Sequence, residues 1–430
     1  MHEEFSGDTK SFRADTGDKM KITAPPAYIA RILKTLVSDG HESVIVGGSV
    51  RDAIMNRPVH DWDLATSATP VDVARLFPKT VLTGEKFGTV TVVEPEGSIE
   101  VTTFRTEGEY LDGRHPEDVE FVSNLTEDLS RRDFTINAIA ESADGELIDP
   151  YGGLEDIKNG VIRCVGGPNT RFSEDSLRMF RALRFSAELG FAIEKETKQA
   201  IYANANLASR LSPERIRIEL EKTLMSQKPE LVGEMIKIGL LDKYIAISGK
   251  SPEGLEKLAY LPAEPMLRWC AFCAILLEKQ YIESTTELLH SMHLDGKTIK
   301  ICLRALAISD FPEEKNAIKQ LLSKNDVAVV RCAAAVSDIK MTEAVKSNEN
   351  ADDSDNGFYA GSSLEKLDNV LASNECTTLS ELAIDGRDLL GLGHPAGREL
   401  GEKLNKLLDH VIENPEDNTR ERLLEVSKKL

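Results

Sequence analysis

The sequence has 430 residues, of which 41% are hydrophobic and 29% are charged. This length allows about two to four domains, and because no apolar run reaches about 18 residues, the composition excludes transmembrane proteins and predicts a soluble one. The net charge of −20 argues against a protein that coats nucleic acid non-specifically, although residues 163–222 carry eleven Lys or Arg against eight Asp or Glu and are the expected polyanion contact.

The N-terminal residues are polar, of mixed charge, and without the basic start and apolar run of a secretory signal. We therefore expect residues 1–20 to form a flexible tail and the protein to be cytoplasmic. Six cysteines are too few for a disulfide framework, so reduced thiols are expected. Cys270 and Cys273 form a C-x-x-C pair inside an apolar helical run, which favours buried core thiols over a metal site.

Helix and strand patterns alternate over residues 21–160. Apolar residues spaced three and four apart predict a helix over 27–38. ESVIVGG (42–48) predicts a strand that ends in a glycine pair, and GSVRDAIM (48–55) predicts a helix directly after it. Alternating or β-branched stretches predict further strands at 60–66, 87–95 and 98–105. The segment is therefore predicted to be an α/β domain with a mixed sheet.

Helical periodicity replaces the strand pattern beyond about residue 165. Ser173 is expected to cap an arginine-rich helix, and Ser212, followed by proline, is expected to begin the next one. The predicted fold class is α+β, with an α/β head at 21–160 followed by an all-α remainder. The acidic segment 345–357 has few apolar residues and predicts a mobile loop.

Two carboxylates follow the glycine pair closely: DWDLAT (61–66) begins nine residues after GGSVRD (47–52). In a strand, Asp61 and Asp63 would lie on the same face. Close carboxylates repel each other unless a divalent cation lies between them, and Mg²⁺ prefers carboxylate and phosphate oxygens. Backbone N–H groups at a glycine turn can approach a triphosphate. The pattern predicts a nucleotidyl-transfer site, whereas a lone D-x-D pair could equally be a surface turn or helix cap.

The order of motifs from about Val46 to Leu224 resembles the class II nucleotidyltransferases of the tRNA CCA-adding enzyme and bacterial poly(A) polymerase family. The two stretches above resemble the metal-binding motif of that family. Four further stretches resemble its ribose-recognition, head–neck, nucleotide-selecting and last neck motifs: RRDFTINA (131–138), IDPYGG (148–153) with Arg163, SEDSLRMFRALRF (173–185) and SPERIRIEL (212–220). Phe87 departs from the family pattern, which has histidine there.

The resemblance implies roles for individual residues. Asp61 and Asp63 would be catalytic and would bind a pair of Mg²⁺ ions. The triphosphate and ribose would be bound by Gly48, Ser49, Arg51, Arg132, Asp133 and Asn137. The head–neck motif would use Asp149, Gly153 and Arg163, and contacts of the neck with RNA would come from Arg181, Arg184 and Arg215. The expected parts are a neck at 161–224, a body at 225–300 and a tRNA-binding tail at 301–430.

Asp175 and Arg178 are the pair that the resemblance assigns to base selection. Their spacing would place a carboxylate and a guanidinium on one helix face, where they can pair with the amine and ring nitrogen of cytosine or adenine. Uracil and guanine would leave both groups unpaired. An ordinary ion pair on a solvated helix is the alternative. Glu100 could be a third metal carboxylate or an ordinary strand residue facing solvent.

The implied activity is template-independent addition of CCA to the 3′ end of tRNA from CTP and ATP. The RNA 3′-hydroxyl would attack the α-phosphorus in line, with release of pyrophosphate. The expected partners are tRNA, CTP and ATP, without a membrane or an obligatory protein partner. An A-adding or CC-adding enzyme, a poly(A) polymerase of the same family and a non-catalytic RNA-binding relative are the alternatives.

The polar stretch 104–121 contains two glycines and a proline and predicts a mobile loop between strands. It resembles the flexible loop of full CCA-adding enzymes, which implies a role in switching the base pocket from C to A. Arg105, Asp112 and Arg114 are the residues that could move the base-reading pair. The loop therefore argues against an enzyme that adds only C.

Overall fold

The computed structural model of the chain describes residues 24–107, 119–245, 251–346 and 361–429. The chain divides into two compact units, with the boundary between Leu211 and Ser212. The predicted tail at 1–20 and nearly all of the predicted loop at 345–357 lie outside the described residues, so both stay predictions.

The first unit contains the strands. Their bounds are β1 (Ser43–Val46), β2 (Asp63–Thr66), β3 (Thr80–Gly84), β4 (Thr89–Glu94), β5 (Gly97–Thr103), β6 (Arg105–Glu107), β7 (Val119–Phe121), β8 (Ala140–Ser142), β9 (Leu147–Ile148), β10 (Val161–Ile162) and β11 (Ala192–Ile193). Seven of them form one sheet in the order β3-β4-β5-β2-β1-β8-β9. The β2–β5 pair is parallel and the other pairs are antiparallel, which confirms the predicted mixed sheet.

The first unit also contains helices, which precede, interrupt and follow the strands of this sheet in the chain. They are α1 (Ala27–Ser38), α2 (Gly48–Ile54), α3 (Pro70–Leu76), α4 (Leu125–Ser130), α5 (Gly153–Asn159), α6 (Pro168–Glu174), α7 (Leu177–Leu189) and α8 (Lys195–Asn204). A short 3₁₀ turn, Thr135–Asn137, precedes β8. The predicted helix over 27–38 is confirmed, because it buries Ile29, Ile32 and Leu36 at their expected spacing.

The described residues of the second unit form helices without strands. These helices are α9 (Pro213–Leu224), α10 (Leu231–Ile238), α11 (Pro265–Glu278), α12 (Thr285–Ser291), α13 (Gly296–Leu306), α14 (Lys315–Lys324), α15 (Val327–Lys346), α16 (Ser363–Ala372), α17 (Gly386–Gly391), α18 (Arg398–Glu413) and α19 (Arg420–Ser427). Cys270 and Cys273 are fully buried in α11, as predicted. No helix in the described ranges is long and apolar enough to cross a membrane.

The large sheet separates two hydrophobic clusters. Ile45, Leu64 and Val101 point to the face covered by α1 and α3, whereas Val46 and Ala65 point to the face covered by α4. This alternation follows from the period of two along each strand. Both faces are covered, so the central strands β1 and β2 consist mostly of apolar residues, and Asp63 is the first residue of β2.

Three local predictions were wrong. The strand predicted over 60–66 begins at Asp63, so Asp61 precedes it rather than belonging to it. A strand does occur beyond residue 165, because β11 (Ala192–Ile193) pairs in parallel with β10. The predicted arginine-rich helix is two helices, since α6 ends at Glu174 and α7 begins at Leu177.

The helix break has a local cause. Asp175 has extended backbone angles of φ −136° and ψ 103°. Its carboxylate accepts a hydrogen bond of 3.0 Å from the backbone N–H of Leu177. Aspartate side chains often compete in this way with the helical backbone for its N–H groups. Ser173 therefore lies inside α6 and does not cap a helix.

Gly153, at the start of α5, lies against the 3₁₀ turn, and substituting it is expected to destabilise the first unit. A Cβ atom there would lie 2.2 Å from the carbonyl oxygen of Thr135 and 2.8 Å from Ile139 Cγ1. Gly153→Ala should therefore lower the free energy of unfolding by about 1–3 kcal/mol or more, as other overpacked sites do. Urea titration measures this loss. Gly296→Ala is the matched control, because a Cβ there meets nothing within 4 Å.

Candidate active site

The glycine turn after β1 brings three elements together. Gly47 has φ +82° and ψ −133°, a backbone conformation that only glycine adopts readily. A Cβ at this position would lie 2.9 Å from Arg132 Nη1 and 3.9 Å from Asp63 Oδ2. The backbone conformation therefore requires glycine, and a side chain there would also displace the guanidinium of Arg132. Ser49 is buried, and its hydroxyl donates to the carbonyl of Val46 at 3.1 Å, which closes the turn from inside.

The two acidic residues lie where the chain enters β2. Asp61 precedes the strand and Asp63 is its first residue, and both are exposed. Desolvation raises the pKa of the Asp63 carboxyl, the charge of Arg132 opposes this rise, and the charge of Asp61 adds to it. The two carboxylates therefore repel each other. This is the electrostatic situation that a divalent cation relieves.

Glu100 faces the same side of the sheet as Asp63. The parallel register of β2 and β5 places the two residues directly opposite each other, and directly paired residues point to the same face. The orientation that the sequence left open is thereby decided, although Glu100 is exposed. No three His, Cys, Asp or Glu side chains in the described part of the chain are arranged to hold a metal ion. Glu100 as a third ligand stays a prediction.

The possible metal ligands at the start of β2 fit Mg²⁺ rather than a softer metal. Asp61 and Asp63 supply carboxylate oxygens only, and Mg²⁺ is usually bound by one or two carboxylates with substrate phosphates completing its shell. Arg132 lies beside Asp63, where it can balance additional negative charge. The two carboxylates therefore suit a metal that arrives together with a nucleotide.

Asp133 is ionised in the interior. It is 8% exposed, and its Oδ2 accepts from Arg181 Nε at 2.7 Å while Oδ1 accepts from Asn137 Nδ2 at 3.0 Å. Burial alone would raise the pKa of Asp133, but Arg181 and the hydrogen bond from Asn137 prevail and lower it to about 2. The negative charge of Asp133 is therefore fixed at neutral pH and ties the 3₁₀ turn to α7.

Arg51 extends this network to the glycine turn. Its guanidinium is buried and donates to Asn137 Oδ1 at 2.6 Å and to Asp52 Oδ1 at 2.9 Å. Arg51, Asn137, Asp133 and Arg181 thus form a continuous chain of hydrogen bonds from α2 to α7. The sequence did not reveal these hydrogen bonds, because the partners are far apart in the chain. Direct contact of these side chains with a nucleotide stays a prediction.

The nucleotide-selecting pair has a different geometry from the predicted one. Asp175 lies in the break between α6 and α7, so it does not share a helix face with Arg178. Arg178 is 8% exposed and donates to Glu174 Oε2 at 2.7 Å and to the carbonyl of Arg131 at 2.9 Å. It is therefore not half of an ordinary ion pair on a solvated helix. Glu174 and the Arg131 carbonyl hold its guanidinium in a defined orientation.

The head–neck motif has visible structural contacts. Both carboxylate oxygens of Asp149 accept backbone N–H groups at the start of α5, from Gly153 and Leu154, at 2.8 Å each. Arg163 donates to Asp156 on α5 at 3.0 Å and to Glu194 before α8 at 3.0 Å. The motif therefore fixes the start of α5 and joins α5 to the segment that leads into α8.

The predicted RNA contacts of the neck are only partly accessible. Arg181 is bonded to Asp133, as described above, and its side chain is 33% exposed. Arg184 is 6% exposed and donates to Glu188 at 2.8 Å, and its contact with RNA stays a prediction. Arg215 lies half-buried on α9 of the second unit.

Of the three predicted loop residues, Arg105 alone lies within the described part of the chain. Arg105 is the first residue of β6, which pairs with β7 in a two-stranded sheet, so both ends of the predicted loop form strands. Its guanidinium donates to the carbonyl of Phe87, and its backbone N–H donates to Asp128. Asp112 and Arg114 lie outside the described residues.

Comparison with known families divides the chain into three matched segments. Residues 43–163 match the "Poly A polymerase head domain". Residues 190–245 match the "Probable RNA and SrmB- binding site of polymerase A", and residues 267–427 match domain 2 of tRNA nucleotidyltransferases. The head match contains the glycine turn, Asp61, Asp63 and the RRDFTINA stretch.

Individual relatives match over nearly the full length. The chain is 39% identical over 400 residues to the CCA-adding enzyme of Geobacillus sp. (strain WCH70), covering 92% of this chain and 94% of the relative. The crystal structure of the Bacillus stearothermophilus CCA-adding enzyme in complex with CTP matches with a TM-score of 0.71 and 33% identity, over 95% of this chain and 98% of that one.

A Thermotoga maritima CCA-adding enzyme complexed with tRNA shares the fold, with a TM-score of 0.62 and 22% identity over 94% of this chain and 96% of that one. The sequence identity and the structural similarity both extend over more than 90% of the chain. The chain therefore belongs to the CCA-adding enzymes, a family of nucleotidyltransferases.

Proposed function

We propose that this protein adds CCA to the 3′ end of tRNA, using CTP and ATP without a nucleic-acid template. The observation that carries the proposal is the 39% identity to a CCA-adding enzyme over 92% of this chain, together with Asp61 and Asp63 at the start of β2. The reaction is attack of the RNA 3′-hydroxyl on the α-phosphorus, with pyrophosphate leaving.

Asp61 and Asp63 would hold Mg²⁺. When bound, the metal supplies charge neutralisation at the phosphates and lowers the pKa of the attacking hydroxyl. Support comes from the raised pKa of Asp63, which reflects desolvation and a nearby like charge. The glycine turn lets the backbone approach the phosphates closely, and Arg132, on the other side of Gly47, would bind a phosphate oxygen.

Asp133, Asn137 and Arg51 would support this site from the protein interior. Their mutual hydrogen bonds fix the distance between the glycine turn and α7. Asp175 and Arg178 would read the base, with Glu174 and the Arg131 carbonyl orienting Arg178. A carboxylate and a guanidinium held in this way offer one acceptor and several donors to a planar base edge.

The tRNA would contact the basic neck at 161–224 and the helical body and tail, at 225–300 and 301–430. A-form RNA is read largely through its shape and backbone, which suits a helical surface without a sequence-reading motif. A cytoplasmic location is part of the same proposal, since tRNA is the substrate.

One gel assay tests the proposal. Purified protein is incubated with a tRNA that ends at its discriminator base, with CTP alone, ATP alone or both. We expect two added nucleotides with CTP alone and three with both. If both nucleotides give only two additions, the protein adds only CC. If it requires a tRNA that already ends in CC, it adds only A, and a long A tract on unrelated RNA indicates a poly(A) polymerase.

Deleting residues 108–116 should separate C addition from A addition. Cytosine and adenine differ in ring size, so a base-reading pair held by Glu174 and the Arg131 carbonyl needs a small reorientation to meet both. We expect the deletion variant to add both C residues at nearly the normal rate and to stop before the terminal A. Replacing the same nine residues by a glycine–serine segment of equal length is the control for chain closure. Normal A addition by the deletion variant would contradict a role of this loop.

A further inference from the structure

Asp128, on α4, is a buried acid to which the proposed reaction gives no role. Its side chain is 0% exposed. A carboxylate that is removed from water is unfavourable unless cations and hydrogen bonds compensate it, and breaking such an arrangement is strongly destabilising. The groups around this carboxylate therefore indicate what its presence achieves.

One oxygen of Asp128 is fully engaged. Its Oδ1 accepts from Arg131 Nη2 at 2.8 Å, from Arg131 Nε at 3.0 Å and from the backbone N–H of Arg105 at 3.2 Å. Arg131 in turn offers its carbonyl to Arg178. This oxygen connects the base of the β6–β7 pair with the residue that supports the base-reading arginine.

The second oxygen faces Arg132 without a hydrogen bond. Asp128 Oδ2 lies 3.6 Å from Arg132 Nη2, which is within ion-pair range but beyond hydrogen-bond length. Neither Asp128 Oδ2 nor Arg132 Nε has a hydrogen-bond partner among the residues that the structure describes. Asp128 therefore attracts the guanidinium by charge while leaving its N–H groups for another acceptor.

Arg132 thus lies between two carboxylates. Asp128 lies 3.6 Å from Nη2, Asp63 lies with Nη1 beside Gly47, and the buried Asp133 adds a further negative charge nearby. Desolvation lowers the pKa of Arg132, and the nearby Asp128 opposes that effect. Arg132 Nη1 lies against Gly47, where the absence of a side chain leaves the guanidinium open to the glycine turn.

We infer that Asp128 is a positioning residue, which holds Arg132 by charge so that its N–H groups point to the phosphates of the incoming nucleotide. This inference rests on the proposed function, because it takes Arg132 to be a phosphate contact. Asp128 itself touches neither nucleotide nor metal. A guanidinium that is held by charge at Nη2 keeps the donors of Nη1, which lies against Gly47, for the ligand.

The test is a double-mutant cycle with Asp128→Asn and Arg132→Gln in the full chain. Asparagine keeps an acceptor for Arg105 and Arg131 but removes the charge that holds Arg132. We expect Asp128→Asn to raise the Kd for CTP, measured by titration calorimetry, and the KM for CTP and ATP by about tenfold, the size of one charge-assisted hydrogen bond. In the Arg132→Gln background, the same Asp128 substitution should change neither quantity further.

Three results are distinguishable. If Arg132→Gln leaves nucleotide binding unchanged, the proposed phosphate contact of Arg132 is wrong. If Arg132→Gln weakens binding but Asp128→Asn does not, the inference about Asp128 is overturned. It is also overturned if Asp128→Asn weakens binding equally in both backgrounds, because Asp128 then acts independently of Arg132.

Asp338→Asn is the matched control for loss of a buried acid. Asp338 is 3% exposed and accepts the backbone N–H groups of Ser363 and Leu364 at the start of α16, in the second unit. Its substitution should lower the unfolding temperature without changing the Kd for CTP. If Asp128→Asn does not fold, the double variant is compared with Arg132→Gln, since removing both partners of a buried ion pair is tolerated better than removing one. Equal Kd values are then expected, and a difference overturns the inference.

Discussion

Replacement of Asp61 or Asp63 by Ala is expected to lower nucleotide addition by about a thousandfold or more while leaving folding and tRNA binding nearly unchanged. These carboxylates lie where the chain enters the central strand β2, and they take no part in either hydrophobic cluster that covers the sheet. Their contribution is to the charge of the transition state, and each factor of ten in rate corresponds to about 1.4 kcal/mol. Single-turnover incorporation of labelled CTP, with protein in excess over tRNA, measures the loss directly.

The matched control is Asp144→Ala, an exposed aspartate of the same unit between β8 and β9. This variant should keep its full rate. If either active-site variant kept more than about a tenth of normal turnover, a loss below about 1.4 kcal/mol, the assignment of the metal-binding residues would be wrong.

Substitution of Asp63 is expected to lower the catalytic rate but not the free energy of unfolding. The pKa of Asp63 is raised in the folded protein, so its ionised form is less favourable there than in the unfolded chain. A carboxyl with a raised folded-state pKa destabilises the protein at a pH above that pKa, and this penalty disappears as the pH falls below the unfolded-state value. Asp63→Asn should therefore be at least as stable as the unsubstituted protein at pH 7, as urea titration can determine.

Loss of nucleotide selectivity is the second large effect that we expect. Asp175→Ala or Arg178→Ala should reduce the preference for CTP and ATP over UTP and GTP by about a hundredfold or more, because the wrong bases no longer leave buried groups unpaired. Metal dependence should be retained. The measurement is the ratio of kcat/KM values for the four nucleotides on a tRNA that ends at its discriminator base.

Arg171→Ala controls for disturbance of Glu174. Arg171 donates to the same Glu174 Oε2 at 2.9 Å, but Arg178 is the residue that also reaches the Arg131 carbonyl. We expect Arg171→Ala to keep most of the selectivity. Unchanged selectivity in both the Asp175 and Arg178 variants would show that these residues stabilise the α6–α7 junction and do not read the base.

Periodic elements could be predicted from the sequence, and interruptions could not. The helix over 27–38 and the strands around 43–46 and 97–103 follow apolar spacing directly. The break at Asp175 depends on one side chain bonding to a backbone N–H two residues later, which no periodicity reveals. Asp61 was placed inside a strand because its spacing from Asp63 suits one, although β2 begins only at Asp63.

The candidate site shows the same division. Gly47, Asp61 and Asp63 are close in sequence, so their grouping could be predicted. The face that Glu100 occupies depends on the parallel register of β2 and β5, which joins residues 37 positions apart and was beyond the sequence pattern. The role proposed for Asp128 was missed, although an acid three and four residues before two consecutive arginines was a visible signal.

All the described residues that are proposed to bind or select the nucleotide lie before the boundary at Leu211. The proposed assignments thus place nucleotide chemistry and nucleotide choice in one compact unit, while the described residues of the second unit form helices without strands. Substitutions that accumulate in the second unit can change which RNA ends are served without altering which nucleotides are joined to them. The two properties can thus diverge separately among descendants of one ancestral chain.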